Sequence, residues 1–155
     1  MNLRRLLLLL SFFLLAACER GADETQKSSV PSNAIPRANT DALARGAQLY
    51  AKNCAECHGP QAQGHPDWQL PSDGTFVAAP PLNGTGNDKN RTQQELIASI
   101  KDGKRRNGAL VMPAWQTRLS DQDVTDIVLW FQSLWPPETY EAWYKRQALA
   151  APAKS

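Results

Sequence analysis

Two cysteines and a histidine stand at a spacing that can hold a porphyrin. The chain reads Cys54-Ala55-Glu56-Cys57-His58. Each cysteine of such a motif can form a thioether with one vinyl group of the same porphyrin, and the adjacent histidine can bind the iron. The alternatives are a thioredoxin-like thiol pair or half of a zinc site, but no βαβ pattern surrounds the motif and no second C-x-x-C follows. The motif therefore predicts one covalently bound haem c, attached through Cys54 and Cys57, with His58 as an axial ligand.

The second axial position of that iron has three candidate occupants: Met112, His65 or no protein ligand. Met112 lies in a predicted loop, after a glycine-containing stretch and before the last long helix. Thioether sulfur is a soft ligand that favours ferrous iron and raises the reduction potential. His65 follows His58 too closely along the chain to reach the opposite face easily, so we expect it to be an exposed loop residue. We predict Met112 as the second ligand, the alternative being a buried, gap-filling methionine.

Residues away from the haem motif resemble those of the class I monohaem cytochromes c. Gly46, Tyr50 and Cys54 are spaced by four along one predicted helix, as are the small and aromatic contact residues of the helix that precedes the haem motif in that family. Trp130 stands in the last long helix, where the family often has an aromatic residue. The resemblance covers about residues 41–135. It implies an all-α, class I cytochrome c fold, with three or more helices and long loops wrapped around one haem.

The segment Pro80–Gly84 resembles the proline-bearing loop of the same family. In that loop a backbone carbonyl accepts a hydrogen bond from the histidine that binds the iron. Such a bond fixes the orientation of the ring and raises its basicity as a ligand. The resemblance therefore implies that the backbone carbonyl of Pro80 accepts a hydrogen bond from the ring of His58. No role follows from the resemblance for the long loop over residues 59–79.

Capping residues and apolar periodicity predict three main helices. The predicted caps are Thr40, Thr92 and Ser120, and the helices that follow them end at Asn53, at Lys101 before Gly103, and at Leu134 before Pro136. The last helix repeats apolar residues with the spacing of a buried face. No alternating apolar pattern of useful length predicts a strand.

The N-terminus has the features of a bacterial lipoprotein signal. Two arginines precede the apolar run Leu6–Ala17, which is too short to span a bilayer and has the length of a signal-peptide core. The run ends in the letters LAAC, which resemble the bacterial lipobox and would make Cys18 the lipidated first residue of the mature protein. We predict a lipoprotein signal peptide over residues 1–17, the alternative being ordinary cleavage with an incidental cysteine. Lipid and haem together then use all three cysteines of the chain.

The remainder divides into three segments. Residues 18–39 are polar, with almost no large apolar side chain, so we predict a lipid-anchored flexible tether. Residues 40–135 form the cytochrome c domain, and residues 136–155 form a C-terminal extension with a short helix and a tail. The aromatic residues of the extension either cover one side of the core or bind a partner. We expect an exported protein at the periplasmic face of a bacterial membrane, with inner and outer membrane left open.

The charge balance argues against nucleic acid as a partner. The chain has 17 Lys and Arg against 15 Asp and Glu, and removal of the two arginines in the signal peptide leaves 17 − 2 = 15 basic residues. The mature polypeptide is thus near neutral. One local excess combines Lys101, Lys104, Arg105 and Arg106 just before Met112. It is either a solvated turn or a basic rim around the site of electron exchange, which would attract acidic partners.

These predictions combine into an electron carrier that is not itself an enzyme. With His58 and Met112 both on the iron, no position is left for a substrate, and the ligation favours a positive potential. We expect redox proteins as partners, a terminal oxidase or a dehydrogenase. The alternative is a catalytic or gas-sensing haem protein with an open or labile sixth position.

Replacing Cys18 by Ser should release a soluble form of the protein with an unchanged absorption spectrum, because lipid and haem use different cysteines. Separation of membranes from soluble fractions, followed by a high-salt wash, measures the release. Retention of the variant in washed membranes would contradict the lipid anchor.

Overall fold

The computed structural model describes residues 39–71 and 77–150. The predicted signal peptide, Cys18 and the tether up to residue 38 lie outside the described residues. Within the two described ranges the chain forms five α-helices, one 3-10 turn and one two-stranded sheet: α1 (Thr40–Asn53), α2 (Ala55–His58), the 3-10 turn (Asp88–Asn90), α3 (Gln93–Asp102), β1 (Lys104–Arg106), β2 (Ala109–Met112), α4 (Asp121–Ser133) and α5 (Pro137–Ala150). The predicted all-α class is confirmed, with one short hairpin added to it.

Helices α3 and α4 both begin with a reciprocal pair of side-chain caps. The Thr92 hydroxyl accepts from the Glu95 N–H at 3.1 Å, and the Glu95 carboxylate accepts from the Thr92 N–H at 2.7 Å. Ser120 and Asp123 repeat this arrangement at the start of α4. Each pair satisfies backbone donors that the first helical turn leaves without partners. The caps predicted at these two positions are therefore confirmed.

Helix α1 begins one residue earlier than its sequence predicts. The cap is Asn39, whose side-chain oxygen accepts from the Ala42 N–H at 2.7 Å, and Thr40 is already helical. The predicted cap at Thr40 is therefore wrong by one position. Asn and Thr are both good N-caps, so adjacent candidates of similar strength could not be separated from the sequence.

Helices α1 and α4 cross in close contact, and Gly46 makes the contact possible. A Cβ atom at this position would lie 2.1 Å from the backbone oxygen of Asp126 and 2.8 Å from Cβ of Trp130. One turn further along α1, the fully buried Tyr50 packs against Trp130 with ring centroids 4.3 Å apart. The core beneath this crossing consists of apolar side chains, among them Val124, Ile127, Val128 and Phe131.

The hairpin of β1 and β2 was not expected from the sequence. Its strands pair antiparallel, with Lys104 opposite Met112, and Asn107 and Gly108 at the turn both have positive φ, as a two-residue hairpin turn requires. Met112 is the last residue of β2, so its predicted place in a loop is wrong. The turn itself had a clear signal, because Asn-Gly favours a two-residue hairpin turn. The flanking strands gave little support to it, since both are very short and β1 consists of three exposed basic residues.

Helix α5 occupies most of the C-terminal extension and packs through its aromatic residues. It runs for 14 residues, longer than the short helix predicted there. Trp143 is buried, and its indole N–H donates to the Arg91 carbonyl at 2.7 Å. Trp135, which precedes the helix, is buried as well. These two aromatic residues therefore cover the core, one of the two roles left open by the sequence. Among the residues described, no helix combines the length and apolar character needed to cross a membrane.

Gly46→Ala should lower the free energy of unfolding by about 1–3 kcal/mol, the usual cost of overpacking a tight contact, despite the better helix propensity of Ala. Denaturant titration of the haem-loaded protein measures this change. Gln48→Ala, an exposed position on the same helix, should change it by less than about 0.5 kcal/mol. Equal values for the two variants would contradict the close helix crossing.

Candidate functional site

The two cysteines of the motif lie at the junction of the first two helices. Cys54 ends α1, where its N–H donates to the Tyr50 carbonyl, and its own carbonyl accepts from the His58 N–H at 2.9 Å. The turn of α2 thus fixes the backbone between the cysteines and His58. Cys54 is half-buried and Cys57 is exposed, and they form no disulfide with one another.

The electrostatics of Cys54 differ from those of a redox-active thiol pair. Burial, and then the neighbouring Cys57, raise the pKa of Cys54 to about 11. Thioredoxin-like motifs work through a thiolate whose pKa is lowered. The local structure of Cys54 therefore disfavours the thiol-redox alternative, and neither cysteine is used by a disulfide.

His58 is buried, with one ring nitrogen already engaged. Only 8% of the residue is exposed, and Nδ1 lies 2.9 Å from the carbonyl oxygen of Pro80. A carbonyl can only accept, so Nδ1 carries the proton and Nε2 keeps its lone pair for a metal. Burial lowers the pKa of His58 more than the Pro80 carbonyl raises it. A neutral imidazole with a free Nε2, beside two unpaired cysteines, is a donor set that fits covalently attached haem.

The loop after the motif returns the chain to Pro80. The His65 N–H donates to the Ala79 carbonyl at 2.9 Å, and the Leu82 N–H donates to the Ala62 carbonyl at 2.8 Å. The side chain of His65 is 40% exposed, and its Nδ1 accepts from a backbone N–H within the same loop. This agrees with the expected exposed loop histidine.

Met112 is half-buried at the end of β2, against the apolar core that Cys54 also contacts. The backbone of Met112 runs close to the end of α3, which is possible because residue 103 is a glycine. A Cβ atom on Gly103 would lie 2.5 Å from the Met112 carbonyl oxygen and 2.7 Å from the Ala114 nitrogen. The sequence indicated Gly103 only as a helix end. Gly103 also allows the backbone at Met112 and Ala114 to approach closely, and the sequence around Gly103 gives no sign of this second role.

Two further contacts near the motif were missed at the sequence level. The Tyr50 hydroxyl donates to the Gly59 carbonyl at 2.9 Å, which ties α1 to the residue after His58. The Trp135 indole N–H donates to the Leu82 carbonyl at 2.9 Å. The aromatic residues themselves were visible as core candidates. Their polar partners lie on loops whose course the sequence does not specify.

The family of the chain follows from comparison with protein-family models. Residues 41–131 match the family described as cytochrome C oxidase, cbb3-type, subunit III. The chain belongs to this family. The predicted resemblance to the cytochromes c is confirmed, as is the class I cytochrome c fold, and membership implies a covalently bound c-type haem.

Curated relatives carry names consistent with that family. The chain is 34% identical over 101 residues to the cbb3-type cytochrome c oxidase subunit CcoP of Azospirillum sp. (strain B510), with 63% of this chain and 30% of that protein covered. It is 36% identical over 107 residues to CcoP of Azospirillum brasilense, with 64% and 32% covered. It is 36% identical over 90 residues to subunit FixP of Sinorhizobium medicae (strain WSM419), with 58% and 27% covered. The chain thus spans about a third of the length of these relatives. No solved structure matches the chain.

These findings correct one expectation. The sequence suggested an electron carrier that is not an enzyme. The family and the relatives are named as subunits of a cytochrome c oxidase, which is an enzyme complex. The expectation that an electron carrier is not part of an enzyme is therefore wrong for this family, because an electron-transferring domain can belong to an enzyme complex.

Proposed function

We propose that this chain binds one haem c through Cys54 and Cys57, with His58 and Met112 as axial ligands, and passes electrons to a terminal oxidase. The observation that carries the proposal is the buried, neutral His58, whose Nδ1 lies 2.9 Å from the Pro80 carbonyl beside two unpaired cysteines. When bound, the haem supplies one-electron oxidation and reduction of its iron.

The chain itself contributes attachment, orientation and exclusion of water. The cysteines hold the group at the end of α1, and the carbonyl of Pro80 keeps the imidazole of His58 in one tautomer and orientation. Burial leaves only 8% of His58 exposed, which limits the access of water to the residue. Met112 lies at the end of a strand that pairs with β1, and this pairing holds the backbone that would present its thioether to the iron.

The proposed partner is a membrane-bound terminal oxidase, and the proposed location is the periplasmic face of a bacterial membrane. The names of the relatives support the partner. The apolar run and the lipobox-like sequence support export, with a lipid at Cys18 and a tether over residues 18–39. Residues 40–135 would then form the electron-transferring domain, and residues 136–155 an extension packed on it.

The hairpin supplies the charge that we propose attracts the partner. Lys104, Arg105 and Arg106 are exposed and form no ion pair with any residue in the described ranges, whereas Lys101 pairs with Asp121 at 2.7 Å. Because Lys104 lies opposite Met112 in the strand register, this charge lies next to the proposed ligand. Exposed positive charge near the site of electron exchange accelerates encounter with an acidic surface.

Met112→Ala should leave the haem attached but lower its reduction potential by roughly 0.1 V or more, within the range of about 0.8 V over which axial ligands act. The ferrous variant should also bind carbon monoxide. Redox titration and absorption spectra measure both effects. Leu110→Ala, an exposed position on the same strand, should keep the wild-type potential. An unchanged potential in Met112→Ala would remove Met112 from the site, and the catalytic or gas-sensing alternative would then be favoured.

Removing charge from the hairpin should slow electron transfer to an anionic oxidant. In Arg105→Gln/Arg106→Gln, oxidation of the ferrous protein by ferricyanide should be several-fold slower at low salt, and the difference should disappear at high salt as charges are screened. The matched control, Lys145→Gln/Arg146→Gln on α5, removes the same net charge elsewhere. Stopped-flow kinetics measure the rates. Equal slowing in both variants would mean that only net charge matters, and would contradict a role for the hairpin.

A further inference from the structure

The backbone that carries the Pro80 carbonyl has few hydrogen bonds of its own. Pro80 and Pro81 are consecutive, and neither has an N–H with which to fix its position. The carbonyl that faces His58 is held partly by Gly64, whose backbone packs closely against Pro80 and Pro81, and partly through the hydrogen bonds of the flanking residues Ala79 and Leu82. A group that holds Ala79 or Leu82 therefore contributes to the distance between Pro80 and His58.

Ala79 and Leu82 form hydrogen bonds with two different parts of the chain. Ala79 accepts from the His65 N–H, and Leu82 donates to the Ala62 carbonyl. Both partners, His65 and Ala62, belong to the loop that follows the C-x-x-C-H motif. The third bond comes from elsewhere: the Trp135 indole N–H donates to the Leu82 carbonyl at 2.9 Å. It links the proline segment to the end of α4.

Trp135 is itself held firmly in place. It is buried, and its ring meets Trp143 of α5 edge-on, with centroids 5.7 Å apart and planes at 84°. Tyr140 makes a second edge contact at 6.3 Å. On the other side lies Gly84, where a Cβ atom would be 2.9 Å from Trp135 Cγ. The loop that contains Pro80 and Gly84 therefore packs directly against the Trp135 indole, and aromatic residues of α5 pack against another side of that indole.

We propose that Trp135 is a positioning residue for His58. By holding the Leu82 carbonyl, its indole N–H keeps the Pro80 carbonyl within hydrogen-bond distance of Nδ1, and α5 serves to hold the indole. The inference rests on the proposed function, because it takes His58 as an axial ligand.

The sign of the effect follows from the chemistry of the ligand. A strong hydrogen bond from Nδ1–H makes the imidazole a more basic ligand, which favours ferric iron. Loss of the indole bond lets the Pro80 carbonyl retreat, so the ligand becomes less basic and the reduction potential rises. The same retreat exposes the Nδ1 proton of His58 to exchange with water.

The test compares two tryptophan variants of the haem-loaded full chain. Trp135→Phe and Trp143→Phe each remove one indole N–H bond to a loop carbonyl, that of Leu82 in the first case and that of Arg91 in the second. Redox titration gives the midpoint potential, and NMR gives the exchange rate of the His58 Nδ1 proton. We expect a higher potential and at least several-fold faster exchange in Trp135→Phe. The change in Trp143→Phe should be clearly smaller, because a phenyl ring at this position still contacts Trp135 and the Trp135 indole keeps its bond to Leu82.

Wild-type values in Trp135→Phe would overturn the inference, and so would equal changes in both variants, which would indicate general loosening. If Trp135→Phe does not retain haem, Gly84→Ala replaces it: this variant keeps the indole but pushes the loop away from it, and an unchanged potential would again overturn the inference. If the proposed function is wrong, the unmutated protein itself will lack the absorption bands of a haem with histidine and methionine ligands. That outcome is distinct from failure of the inference about Trp135.

Discussion

A buried imidazole needs a hydrogen-bond partner for one of its nitrogens, and at His58 that partner is the carbonyl of Pro80, 2.9 Å away. This bond joins two segments that are 22 residues apart, so the loop between them must leave the haem motif and return. The backbone bonds from His65 and to Ala62 close that return. The arrangement fixes the tautomer of the ring and leaves its other nitrogen available to a metal, which suits the C-x-x-C-H motif to the haem that we propose it binds.

The frame behind the site is the crossing of α1 and α4. Its closeness depends on Gly46, and it contains a fully buried carboxylate, Asp126. That charge is satisfied on both oxygens, by Arg45 Nε at 2.8 Å and by Gln122 Nε2 at 2.8 Å. A buried charge is tolerated only when it is paired and hydrogen-bonded. Because Cys54 directly follows α1, the crossing also fixes the position of the first cysteine relative to the core.

The sequence predicted the parts of the molecule that depend on local chemistry. The C-x-x-C-H motif, the helix caps at Thr92 and Ser120 and the apolar face of α4 all depend on residues within a few positions of one another. Met112 illustrates the limit: its strand exists because β1 and β2 pair, and although Asn107-Gly108 signals the turn, strands this short show no alternating pattern. The bond from Trp135 to Leu82 shows the same limit at long range, since its partners are 53 residues apart. Such contacts depend on how the folded elements pack together, and the spacing of residues along the sequence does not reveal them.

The most direct test of the account is the absorption spectrum of the purified protein, ferric and dithionite-reduced, with and without carbon monoxide. The account predicts sharp reduced bands that carbon monoxide does not change, together with the weak near-infrared band of methionine bound to ferric iron. A spectrum that shifts with carbon monoxide and lacks that band would contradict ligation by His58 and Met112.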